Sequence, residues 1–79
     1  GNTFTTSAAN TSPTPISDLG NPTVGQYVTL IGGGGTYPSS IADSGNFNLN
    51  VAWSAAVDDV LILYVQADDD YIEVGRVDN

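Results

Sequence analysis

Nine acidic side chains against a single base, Arg76, limit the chemistry open to this 79-residue chain. The densest polar feature is the run Asp68-Asp69-Asp70, with Asp58-Asp59 next. Clustered carboxylates are what a hard cation such as calcium takes as ligands, together with carbonyl oxygens. Successive side chains of a strand or turn diverge, however, and neither the mid-loop glycine nor the closing glutamate of an EF-hand loop is in place. The competing reading is a solvated hairpin turn, in which aspartate bonds its own backbone and tolerates left-handed geometry. That reading is preferred for both runs, and no metal or cofactor is expected.

Other reactions fail on the residues available. A glycosidase pair needs one carboxyl kept protonated in an apolar pocket, roughly 5 to 9 Å from a second carboxyl. Glu73 is the acid best placed within a strand-like run, but its neighbours Ile72 and Val74 direct it toward solvent or a subunit seam. The chain has no histidine, which excludes a Ser-His-Asp triad. Gly32-Gly33-Gly34-Gly35 follows a strand-like run as phosphate-cradling loops do, yet neither a Lys-Ser/Thr pair nor a helix comes after it. The chain is therefore read as having no enzymatic activity.

Binding is the remaining chemistry. Tyr37, Trp53 and Tyr71 are candidates for stacking on sugar faces, as are Tyr27 and Tyr64 where exposed; against this, a small core needs aromatic area to bury. Tyr37, beside Pro38 and glycine-flanked, is the best candidate for an exposed contact. Arg76 is expected in a structural ion pair, with Glu73, Asp78 or an acid of a neighbouring subunit as partner.

The elements that must position these residues are strands. Val60–Gln66 and Tyr71–Val77 are rich in β-branched and aromatic residues and flank the polar link Ala67–Asp70, the composition of a β-hairpin. Tyr71–Val77 partly alternates, as a strand with one wet face does. Val60–Val65 does not alternate: both faces are apolar. Gly25–Ile31 predicts a strand with Tyr27, Thr29 and Ile31 on one face and Val28 and Leu30 on the other. Asn46–Val51 alternates cleanly, which predicts Phe47, Leu49 and Val51 inward. Gly1–Thr6 predicts a short first strand anchored by a buried Phe4. Pro13 and Pro15 confine Ser7–Pro15 to a surface connection or an edge. Ile16 and Leu19 precede a turn at Gly20-Asn21-Pro22. The four glycines predict either a mobile loop or a tight corner where another backbone passes close. Ser54–Asp59 is a turn-bearing link with room for one helical turn, and no segment keeps a helical apolar period. The fold class is thus all-β: a small antiparallel β-sandwich or β-prism-like module over residues 1–79.

Size and charge bear on assembly. A chain this short buries only about 60% of the surface its unfolded form exposes. Without cysteine or histidine, disulfides and the usual zinc ligands are ruled out, leaving oligomerisation as the stabilising device. The second apolar face of Val60–Val65 is the natural place for another copy. A net charge of −8 repels phosphate backbones and anionic membranes, so neither nucleic acid nor membrane insertion is expected. The opening residues lack a signal-peptide pattern, and Gly1-Asn2 reads as a cut from a longer polypeptide.

The order of pieces adds a resemblance. It runs F-T-T-S-A-A-N-T-S-P-T-P-I-S-D-L (Phe4–Leu19), V-G-Q-Y-V-T-L-I-G-G-G-G (Val24–Gly35) and S-G-N-F-N-L (Ser44–Leu49). W-S-A-A-V-D-D-V-L-I-L-Y-V (Trp53–Val65) and Y-I-E-V-G-R (Tyr71–Arg76) complete it. This resembles the small C-terminal β-module that follows the right-handed β-helix of bacteriophage tailspike and tail-fibre proteins. The resemblance implies a homotrimeric module on a virion appendage, outside the cell, that holds three chains in register; some such modules contact host surface glycans. The two apolar faces of Val60–Val65 independently make Leu61, Leu63, Tyr64 and Val65 the candidates for a trimer interface or core. The acidic link Gln66–Asp70 and the Pro13/Pro15 pair depart from the family pattern.

Overall fold

A computed structural model describes residues 3–16, 19 and 23–78. Among these residues there is no helix, and the strands in chain order are β1 (Thr3–Thr5), β2 (Thr14–Pro15), β3 (Tyr27–Ile31), β4 (Ser39–Ile41), β5 (Phe47–Asn48), β6 (Trp53–Ser54), β7 (Val60–Ala67) and β8 (Asp70–Val77). They form a five-stranded sheet in the order β1-β3-β7-β8-β5 and a three-stranded sheet in the order β2-β4-β6.

The hairpin β7–β8 is the spine of the larger sheet. Its arms pair from Val60↔Val77 to Ala67↔Asp70, around a two-residue turn of Asp68 and Asp69. Asp69 takes a positive φ of 54°, the left-handed state that aspartate tolerates better than most residues. Two register irregularities, at Ile62/Leu63 and Val65/Ala67, mark bulges that add twist. β3 pairs antiparallel with the other edge of β7, from Tyr27↔Tyr64 to Ile31↔Val60.

The ladders are mixed rather than purely antiparallel, which corrects that part of the sequence reading. β1–β3, β2–β4 and β5–β8 are parallel. A parallel pair requires a crossover of a dozen or more residues. Chain alternation between the two sheets supplies one each time: β2 lies between β1 and β3, β3 between β2 and β4, and β6–β7 between β5 and β8.

One core joins the sheets. Val28 and Leu30 of β3, Leu61, Leu63 and Val65 of β7, Tyr71 of β8 and Phe47 of β5 meet Ile41 of β4 and Trp53 of β6, with Leu49 and Ala55 beside them. Ile16 and Leu19 pack against its margin. Each large apolar side chain enclosed here contributes about 1.5–3 kcal/mol.

Two expected core residues lie elsewhere. Phe4 is 53% exposed, because β1 is an edge strand. Val51 is 57% exposed, because the ladder of β5 ends at Asn48 and the alternation of Phe47 and Leu49 is not continued. The predicted turn at Gly20-Asn21-Pro22 lies outside the described residues.

The glycine run is the tight corner. A Cβ on Gly32 would lie 1.9 Å from the carbonyl oxygen of Ala56, and one on Gly33 would lie 1.9 Å from that of Thr6. Here three segments cross: Gly32 N donates to Asp59 O at 2.7 Å, Gly34 N to Ala55 O at 2.9 Å, and Gly33 N to Thr6 Oγ1 at 2.8 Å. The link before β7 turns at Val57–Asp58, with Asp58 at φ 65°, and forms no helical turn.

Candidate functional site

Residues paired across a ladder share a face of the sheet, so the register of the five-stranded sheet separates its two sides. Leu61, Leu63 and Val65 point inward and are 0% exposed. The side away from the core carries Val60, Ile62 and Tyr64 of β7, flanked by Ile31, Thr29 and Tyr27 of β3. Val77, Gly75 and Ile72 of β8 flank them on the other edge. Thr3 and Thr5 of β1 and Asn48 of β5 complete it. The one charged side chain on this face among the described residues is Asp70, at the turn end of β8, bonded there to Asn48 and Gln66. Val60, Ile62, Tyr64, Ile31 and Ile72 are half-buried, and Tyr27 and Val77 are exposed. The Tyr27 and Tyr64 rings meet at 5.1 Å between centroids, tilted by 51°.

Of the residues expected at a subunit seam, Tyr64 lies on this outer face, whereas Leu61, Leu63 and Val65 belong to the chain's own core. Val60, Ile62, Tyr27, Ile31 and Ile72 take the places beside Tyr64. Their signal was the unbroken apolar run of β7 together with the Tyr27/Ile31 face of β3.

The expected ligand set separates. Tyr71 is fully buried, its ring 5.0 Å from that of Phe47 and its hydroxyl donating to Leu19 O at 3.2 Å. Trp53 is 2% exposed, and its buried indole N–H has no hydrogen-bond partner among the described residues. Neither offers a ring face to a sugar, since both are enclosed between the two sheets. Tyr37 alone of the three is exposed, at 41%, on a loop braced by Asn10, whose Nδ2 donates to Tyr37 O at 3.0 Å and to Ser39 Oγ at 3.1 Å.

Arg76 and Glu73 form a two-pronged pair. Arg76 Nε donates to Glu73 Oε2 and Nη2 to Glu73 Oε1, each at 2.8 Å. Nη2 also donates to Val51 O at 2.6 Å, and Glu73 Oε1 accepts from Asn50 N at 3.0 Å. Both side chains project from the inner face of β8, at 16% and 9% exposure, not toward solvent or a seam as the alternation of Ile72 and Val74 had indicated. The bulge and the covering segment 50–52 account for the difference. Where β5 ends, these side chains replace its ladder and hold residues 50–52 to β8. The Arg76 guanidinium, helped by Asn50 N–H and opposed by burial, lowers the Glu73 carboxyl below the usual carboxylate range. Arg76 is raised in turn by the same hydrogen bond.

The acidic runs sit at turns, with Asp58, Asp68 and Asp69 in them and Asp70 opening β8. Asp70 Oδ1 accepts from Asn48 Nδ2 at 2.8 Å and from Gln66 Nε2 at 3.0 Å. Among the described residues no three acidic side chains converge on a point that could hold a metal ion. Among the described residues, no titratable group lines an open cleft of about 310 Å³ between Pro15, Ile16, Ala42 and Phe47.

No protein-family model, no curated protein and no solved structure matches this chain.

Proposed function

We propose that this chain is a structural self-assembly module, which joins copies of itself through the outer face of its five-stranded sheet. The observation that carries this reading is the largely apolar face centred on Ile62 and Tyr64, with one acid, Asp70, at its rim, in a chain of net charge −8. A contiguous apolar face of this kind marks an interaction site on a protein that is otherwise strongly charged. The sheet edges are poor alternatives: β1, β5, β2 and β6, the terminal strands of the two sheets, are only two or three residues long. The specific form of the reading is a homotrimeric capping module at the distal end of a phage tailspike or tail fibre. It rests on the resemblance in motif order.

Light scattering across a dilution series tests it. The expected mass rises toward three chains with concentration; a folded monomer at every concentration overturns the reading. A second reading, recognition of a host surface polysaccharide, is favoured by the exposure of Tyr37. The Tyr27–Tyr64 pair supports it less, because rings tilted by 51° offer no single plane to a sugar. Binding on a glycan array that is lost in Tyr37→Ala, by a chain that stays monomeric, would select it.

A further inference from the structure

We propose that self-association of this chain is held by apolar contact and opposed by charge, so that ionic strength sets its extent. The inference rests on the self-assembly reading above and adds its regulation. Arg76 is the only side-chain cation of the sequence. Its guanidinium is already committed within its own chain, to both oxygens of Glu73 and to Val51 O. No side-chain cation is left to reach across an interface, and each copy brings a net charge of −8.

The acids gather at the two ends of the outer face, Asp70 standing on its rim beside Asn48. Asp58 and Asp59 precede β7 and Asp78 follows β8 at one end of the hairpin; Asp68, Asp69 and Asp70 occupy the other. Two sheets packed face to face lie about 10 Å apart. That spacing equals the screening length at roughly 0.1 M salt and is a third of the roughly 30 Å at 0.01 M. Bringing two such faces together therefore sets like-charged rims within unscreened range at low salt and largely screened range at high salt.

The face is also small enough for this to matter. Five strands at about 4.8 Å spacing and five residues at about 3.4 Å rise give roughly 400 Å² per copy. A stable standard interface buries about 800 Å² per partner. A second copy is the occupant that fits, since the face is self-complementary in Tyr, Ile, Val and Thr and the acid at its rim, Asp70, is already bonded to Asn48 and Gln66.

The test measures the association constant of the whole chain by sedimentation equilibrium at 20, 150 and 500 mM NaCl. It is repeated on Asp68→Asn/Asp69→Asn/Asp78→Asn, three exposed positions outside the proposed contact. Association is expected to tighten about tenfold from the lowest to the highest salt. The neutralised variant should associate more tightly at 20 mM and show a flatter salt response. Salt-independent or salt-weakened association overturns the inference while leaving self-assembly standing. So does an identical salt response in the variant, which would point to salting-out. A monomer under all conditions removes the self-assembly reading and this inference with it.

Discussion

Strand β7 presents two apolar faces, and among the described residues the smaller sheet covers one of them. Leu61, Leu63 and Val65 are sealed at 0% exposure between the two sheets. Val60, Ile62 and Tyr64 alternate with them on the opposite face and are half-buried. The difference comes from the amount of chain available: a three-stranded sheet with strands of two or three residues can roof one side of a five-stranded sheet and no more. A domain of this size has little surface to spare for a second core. The inner face therefore acts on folding, and the outer one is the surface on which the self-assembly proposal rests.

That contrast is easiest to break from the inside. Leu63→Ala should lose about 3 kcal/mol of stability at any protein concentration, because it opens a cavity in an enclosed core. Urea denaturation reads this directly, and Leu63→Asp should not fold. A Leu63→Ala chain with unchanged stability but lower mass would move that residue to a seam.

The glycine corner gives the next largest effect. Gly33→Ala places a methyl group 1.9 Å from Thr6 O, so β1 or the corner must shift. A cost of about 2 kcal/mol is expected, with loss of amide protection concentrated in β1 and residues 32–35.

Arg76→Ala removes the fork that holds segment 50–52 to β8, and about 2 kcal/mol should go with it, since the Glu73 carboxylate keeps only its bond from Asn50 N–H. The pH dependence has a definite sign. Glu73 has a folded-state value below its ordinary one, so its contribution is complete above the usual carboxylate range and is lost as pH falls through the lowered value. Thermal melts from pH 7 down to pH 2 should show acid destabilisation that is shallower in Arg76→Ala.

The smallest effect on folding, and the sharpest on assembly, belongs to the outer face. Ile62→Asp should change the stability of the dilute chain by less than about 1 kcal/mol, as a surface substitution does. It should also abolish concentration-dependent mass in light scattering. If it unfolds the monomer instead, the outer face is part of the chain's own structure.

Much of the strand arrangement was legible along the chain. The alternation of Tyr27 to Ile31 gave the correct sides of β3, and the β-branched arms around Asp68-Asp69 gave the hairpin. The candidate site was legible only in part. That β7 has two apolar faces follows from Val60–Val65 alone, but a strand with no alternation carries no mark of which face turns inward. Phe4 and Val51 look like core residues by type and fall at a sheet edge and beyond a ladder's end, positions that no local pattern encodes. Trp53 and Tyr71 were chemically suited to a sugar platform; their enclosure depends on the smaller sheet lying over them.

The sequence by itself determined that this protein is built of strands, since β-branched and aromatic residues occur in short runs broken by glycine, proline and aspartate and nowhere at helical spacing. It also determined that one arginine must serve nine acids. Only the tertiary structure decided the rest: which side of β7 became core, that three ladders run parallel, and that Arg76 closes onto Glu73 within its own chain. Those outcomes depend on where the second sheet lies across the first, and contacts between residues distant along the chain set that placement.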